Sequence, residues 1–137
     1  EVKPIRLLNL EAVNNKEVLD ILSEYFIDGA LDDDGDVVLD RPSRIYLTVS
    51  ADFGVLRFFS FVWLKDGFDI EVLSKKLDSF NKGSTTVKYV VMSNAAMVEY
   101  GIPLFGHIDH KHLIKFVQHF EEEVASLRIS ISEHVKG

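Results

Sequence analysis

Residues 55–64 read Val-Leu-Arg-Phe-Phe-Ser-Phe-Val-Trp-Leu, and this stretch constrains the chain more than any other. It is too short to cross a bilayer, which takes about 18–20 apolar residues, and Arg57 interrupts it. Its aromatic and β-branched residues make it a strand. Side chains alternate along a strand, so Leu56, Phe58, Val62 and Leu64 lie on one side and Val55, Phe59, Phe61 and Trp63 on the other. A strand with one wet face carries polar residues there. Here both faces are apolar. An aromatic side chain offers ~150–250 Å² for burial, so Phe59, Phe61 and Trp63 together reach the ~300–600 Å² patch that a monomer usually leaves exposed. Either the chain's own helices cover both faces, or a second copy or a client segment lies on one of them. The second reading is preferred, with Phe59, Phe61 and Trp63 as partner-binding contact area and Arg57 as a polar rim.

The rest of the chain supplies the frame for that strand. Val18, Leu19, Leu22, Tyr25 and Phe26 recur at helical spacing, and Asn14 with Glu17 forms a capping box, which predicts a first helix over residues 16–28. The acidic run 30–36 breaks the periodicity as a turn before a first strand at 37–39. After the turn Arg41-Pro42-Ser43, residues 44–51 alternate Ile45, Leu47 and Val49 with Tyr46, Thr48 and Ser50, the pattern of a half-buried second strand. Asp52-Phe53-Gly54 is a hairpin loop into the third strand, 55–64. Asp69 caps a second helix running to Asn81, with Ile70, Leu73, Leu77 and Phe80 as its apolar stripe and Gly83 as its stop. A fourth strand over 85–93 sets Val87, Tyr89 and Val91 opposite Lys88, Val90 and Met92. Asn94-Ala95-Ala96 turns it into a fifth, 97–104, whose Pro103 marks an edge or a strand end. Asp109 caps a third helix to about Leu127, buried through Leu113, Val117, Phe120, Val124 and Leu127, and the tail 128–137 is expected to be loosely ordered. Short strand connections make the sheet antiparallel. The fold class is therefore α+β: a five-stranded antiparallel sheet with helices packed on it, in the order α-β-β-β-α-β-β-α, as one domain over residues 1–137.

Charge and cysteine usage exclude several functions. Fifteen Lys and Arg against 22 Asp and Glu give a net charge of −7, with no concentrated basic stretch beyond pairs such as Lys75-Lys76, so no nucleic-acid partner is expected. Zero cysteines exclude disulfides, thiolate nucleophiles, iron–sulfur clusters and Cys-based zinc sites. No membrane partner is expected, and the start Glu1-Val2-Lys3-Pro4-Ile5-Arg6 lacks the apolar core of a secretory signal, which makes the cytoplasm the expected compartment.

Candidate chemistry is sparse. The acidic loop Asp32-Asp33-Asp34-Gly35-Asp36 invites comparison with an EF-hand, but with Gly35 at the glycine position the first ligand position holds Ala30 and the bidentate one Arg41. A solvated tight turn fits better. His107, His110 and His112 gather around Asp109, and His112, Phe116, His119 and Glu123 share a helix face, a conceivable metal-binding or proton-sensing set. His112 and His119 lie two turns apart, too far for one small ion, and no HExxH is present. GxSxG, GxxxxGK[ST] and GxGxxG are also missing, so no nucleophile or cofactor is nominated and no enzyme is expected. Glu121-Glu122-Glu123 reads as a solvated helix face.

The stretch 31–124 resembles the YbjN domain family of bacteria. The likeness is carried by the acidic turn, by Ile45-Tyr46-Leu47-Thr48-Val49, by Leu77-Asp78-Ser79-Phe80-Asn81, by Val98-Glu99-Tyr100 with Pro103-Leu104, and by Leu113-Ile114-Lys115-Phe116-Val117. The resemblance implies a fold similar to that of type III secretion chaperones. It further implies a small cytoplasmic bacterial protein of sensory or regulatory character, without an established set of catalytic residues. Two functions follow as expectations. The first is a non-enzymatic, chaperone-like interaction module, a homodimer or a binder of an extended partner segment. The alternative is a regulator responsive to a metal or small molecule through His107, Asp109, His110, His112 or the acidic loop. The apolar excess favours the first.

Overall fold

The computed structural model describes residues 6–137, so the expectation about a leader segment falls, for residues 1–5, outside the described part. In chain order the elements are β1 (Leu7–Asn9), α1 (Asn15–Glu24), β2 (Gly29–Leu31), β3 (Val37–Leu39), β4 (Ile45–Ser50), β5 (Val55–Trp63), α2 (Ile70–Gly83), β6 (Lys88–Val91), β7 (Ala95–Pro103), β8 (His107–Asp109) and α3 (His110–Ser130). A 3-10 turn, Ser132–His134, follows. The α+β class and the antiparallel pairing are as expected; the strand number is not. The main sheet has six strands in the order β2-β3-β4-β5-β7-β6, and β1 pairs with β8 in a separate two-stranded sheet. No helix among the described residues is long and apolar enough to cross a membrane.

Caps fall where side-chain chemistry demands them. The Asn14 carboxamide accepts from Glu17 N at 2.9 Å, Asp69 accepts from Glu71 N and Val72 N, and Asp109 accepts from His112 N at 2.9 Å. Helix α1 stops four residues short of the predicted Asp28. Phe26 adopts a left-handed φ of 63°, and Ile27 N returns to Leu22 O at 2.9 Å, a C-terminal closure that lets the chain turn into β2. Gly29 opens that strand because a Cβ there would meet the Leu39 side chain at 2.8 Å. The acidic segment is a tight turn, as expected: Asp32 Oδ1 accepts from Asp34 N and Asp36 N, and Gly35 takes φ +83°. Asn15 fixes α1 against it, its carboxamide donating to Gly35 O at 2.8 Å and accepting from Val49 N at 2.7 Å.

All three helices pack on one face of the main sheet, and their buried residues join a single core. Phe58 sits at its centre, its ring 5.8 Å from Phe120 of α3 and 5.6 Å from Tyr100 of β7. Leu73 and Leu77 are core residues, as the stripe predicts, whereas Ile70 is exposed. Ala95 and Ala96 belong to β7, not to the turn, which lies just before them: Leu64 N reaches Asn94 O and Met92 N reaches Ala95 O. Nor is the C-terminal tail loose. Ile131 and His134 are buried, Leu64 bridges to Val135, and Lys136 N donates to Trp63 O at 2.9 Å. The Glu run is likewise only part solvated, since Glu121 pairs with Arg41 and Glu123 accepts from the Tyr89 hydroxyl.

Strand β6 forms one margin of the sheet, and its outward backbone is capped at Tyr89 by a side chain. Asn81, in the last turns of α2, donates to Tyr89 O and accepts from Tyr89 N, both at 2.8 Å, so one carboxamide takes the place of a neighbouring strand. Replacing Asn81 with Ala strands both groups and should cost about 1–3 kcal/mol in urea unfolding; an unchanged midpoint would show the clip to be dispensable. Tyr89 itself is held protonated by burial and by its bond to Glu123, so its hydroxyl ionises above the ordinary 10.0. A folded-state value raised in this way supplies stability that is complete below about pH 10 and is lost as pH rises further. Tyr89→Phe should therefore flatten the decline in stability above pH 10, measured by thermal melts across alkaline buffers.

Candidate interaction face

Strand β5 alternates burial residue by residue: Leu56, Phe58, Ser60 and Val62 are buried, while Val55, Arg57, Phe59 and Phe61 are half-buried and Trp63 is 52% exposed. The helices cover only the first set. Register extends the second into a surface. One row runs Val38, Tyr46, Phe59, Glu99, Lys88 across β3, β4, β5, β7 and β6; the next holds Phe61, Met97 and Val90; the last holds Trp63 and Ala95. Val90 and Met92 at the β6 end are exposed.

The four rings interlock across this face. Tyr46 meets Phe59 edge-on at 5.0 Å, Phe59 meets Phe61 at 5.9 Å, and Phe61 stacks on Trp63 at 5.6 Å with 27° between planes. Such pairs contribute about 0.5–1.5 kcal/mol each and fix the rings in place, yet their outward surfaces stay in water. A partner would thus meet an ordered platform. Arg57 forms its border: its guanidinium lies 4.5 Å over the Phe59 ring and donates to Glu99 at 2.9 Å. Both side chains are only partly buried, so the pair itself is worth about 0–1 kcal/mol. The predicted contact residues Arg57, Phe59, Phe61 and Trp63 are therefore side by side, and the sequence reading missed Tyr46, Met97 and Val90. Register alone reveals those three: Tyr46 and Met97 lie beside β5, and Val90 beyond Met97, only once strand order is known.

The histidine cluster does not converge. His110 is buried, its Nδ1 accepting from Arg6 N at 3.0 Å and its ring stacked on Tyr25 at 4.6 Å. His112 points to solvent near Asp109, 3.4 Å from its carboxylate, and His119 lies 3.8 Å from Glu123. The His112 amide, accepted by Asp109, holds that carboxyl below its usual range. Among the described residues no three His, Asp or Glu side chains gather to hold a metal ion. Of this set Asp109 is the helix cap, and His107 lies in β8.

No family model matches the chain, and no curated protein matches it. Among solved structures it is similar to YbjN of E. coli, provisionally described as a transcription regulator, with a TM-score of 0.71 and 11% identity over 89% of this chain and 95% of that one. It is also similar to a chain of the HopA1–SchA chaperone–effector complex, with a TM-score of 0.57 and 11% identity over 82% and 89%. The fold is YbjN-like and related in shape to secretion chaperones.

Trp63 is the single tryptophan and so reports directly on this face. In dilute solution its emission should be red-shifted and readily quenched by acrylamide; a blue-shifted, protected emission at the lowest measurable concentration would contradict the exposed geometry.

Proposed function

We propose that this protein is a non-enzymatic, chaperone-like or regulatory interaction module of the bacterial cytoplasm, working as one domain without a cofactor. It buries the outer face of its sheet against another polypeptide, either a second copy in a homodimer or an extended partner segment, and takes neither nucleic acid nor membrane as partner. Phe59, Phe61 and Trp63 supply the contact area and Arg57 its polar rim. One observation carries this reading: the aromatic face is ordered and apolar, and among the described residues no helix packs on it. The folds it is similar to support the reading, since one of them comes from a chaperone–effector complex and the other is described as a regulator. Fold alone does not carry function; the exposed platform gives the likeness its physical content.

Sedimentation at micromolar concentration tests it. Phe59→Ser and Trp63→Ser should each weaken self-association, or capture of a client segment, while unfolding stays cooperative, because both side chains contribute more to the surface than to the core. Substitutions that unfold the chain without altering its oligomeric state would identify the rings as ordinary core.

A further inference from the structure

A groove of about 730 Å³ opens where the aromatic face ends, with Tyr46, Phe61 and Trp63 forming one wall. Arg44, Arg128 and Lys136 share its lining, brought together from the residue before β4, the last turns of α3 and the C-terminal segment. Hydrogen bonds anchor the main chain of Arg44 and Lys136 and the side chain of Arg128, and among the described residues no carboxylate pairs with any of the three. Arg44 O accepts from the buried Ser60 hydroxyl at 2.8 Å, Arg128 Nη1 donates to Ser43 Oγ at 2.8 Å, and Lys136 N donates to Trp63 O. Arg41 also lines the groove but is neutralised by Glu121. Among the described residues Asp40 is the only acidic side chain in the lining, which Gly137, the last residue of the sequence, also joins, so the basic groups of the groove outnumber the acidic ones in a chain whose overall charge is −7. That local reversal of sign, joined to an aromatic wall, is a charge pattern looking for its complement.

We infer that this groove selects an acidic segment of a partner protein, whose apolar side chains lie on Phe61 and Trp63 while its carboxylates reach Arg44, Arg128 and Lys136. The inference rests on the interaction reading above and names the partner's chemistry. A second copy fits the groove less well, since a two-fold axis near Trp63 brings two sets of like charges together. The groove is also continuous with the open sheet face, which suits a chain that extends along the strands better than a small enclosed anion.

Fluorescence polarisation of the intact protein with three short labelled peptides tests this. The peptides share the same leucine and phenylalanine content and carry glutamate, glutamine or lysine at alternate positions. The glutamate peptide should bind at least about tenfold more tightly than the glutamine one, and its advantage should shrink as salt rises, because exposed charges are screened over ~10 Å at 0.1 M. Arg44→Glu with Lys136→Glu should erase that preference, whereas Trp63→Ser should weaken every peptide alike. Arg44→Gln with Lys136→Gln, checked for native circular dichroism, serves if charge reversal disturbs the fold. Equal binding of the glutamate and glutamine peptides, sensitive to Trp63→Ser but not to the cation variants, would overturn charge selection and leave the interaction face standing. So would capture of ATP, but of no peptide, in an Arg44- and Lys136-dependent manner, which makes the groove a small-anion site. If no peptide binds and self-association is also indifferent to Phe59→Ser and Trp63→Ser, both readings fall together.

Discussion

Placement of all three helices on one side of a six-stranded sheet is the constraint from which the rest follows. Burying Phe58, Leu56, Val62 and their neighbours under α1, α2 and α3 contributes about 1.5–3 kcal/mol for each large side chain, which fixes strand order and register together. Once register is fixed, every alternate residue of β5 must face the other way. Phe59, Phe61 and Trp63 are consequently presented outward by the same packing that hides Phe58. The chain cannot slip the strand by one residue to hide them, because that would place Arg57 and Trp63 in the core and expose Phe58.

Much of this frame was legible in the sequence because it depends on local chemistry. Asn14, Asp69 and Asp109 announce their helices through capping geometry, and the stripes Leu73–Leu77 and Leu113–Leu127 announce which side is buried. The alternation of β4 and the doubled apolar pattern of β5 likewise reflect rules that act within one strand. What stayed hidden depends on pairing between distant segments. Leu7–Asn9 becomes a strand only because His107–Asp109 lies beside it about a hundred residues later, and three residues carry too little periodicity to declare themselves. Gly29–Leu31 is similar: it reads as a break, and only Val37–Leu39 makes it a strand. The tail looks unremarkable until Val135 meets Leu64 and Lys136 meets Trp63.

The candidate site divides along the same line. Its aromatic half is contiguous in sequence and could be named from residues 55–64 alone. Its cationic half is assembled from positions 44, 128 and 136, each an isolated basic residue in an acidic chain, so composition pointed away from it. At 11% identity, the likeness to YbjN is one of fold, and it leaves the surface chemistry free to differ.

The Asn81 clip has a bearing on how copies of this protein meet. An endless ribbon of copies joined strand to strand needs two open margins on each member. Here the carboxamide occupies the backbone of Tyr89, so a newcomer at that margin must first displace it. Adding a strand there means giving up two short hydrogen bonds before any new ones form, which sets a toll on edge-to-edge growth beside an aromatic platform.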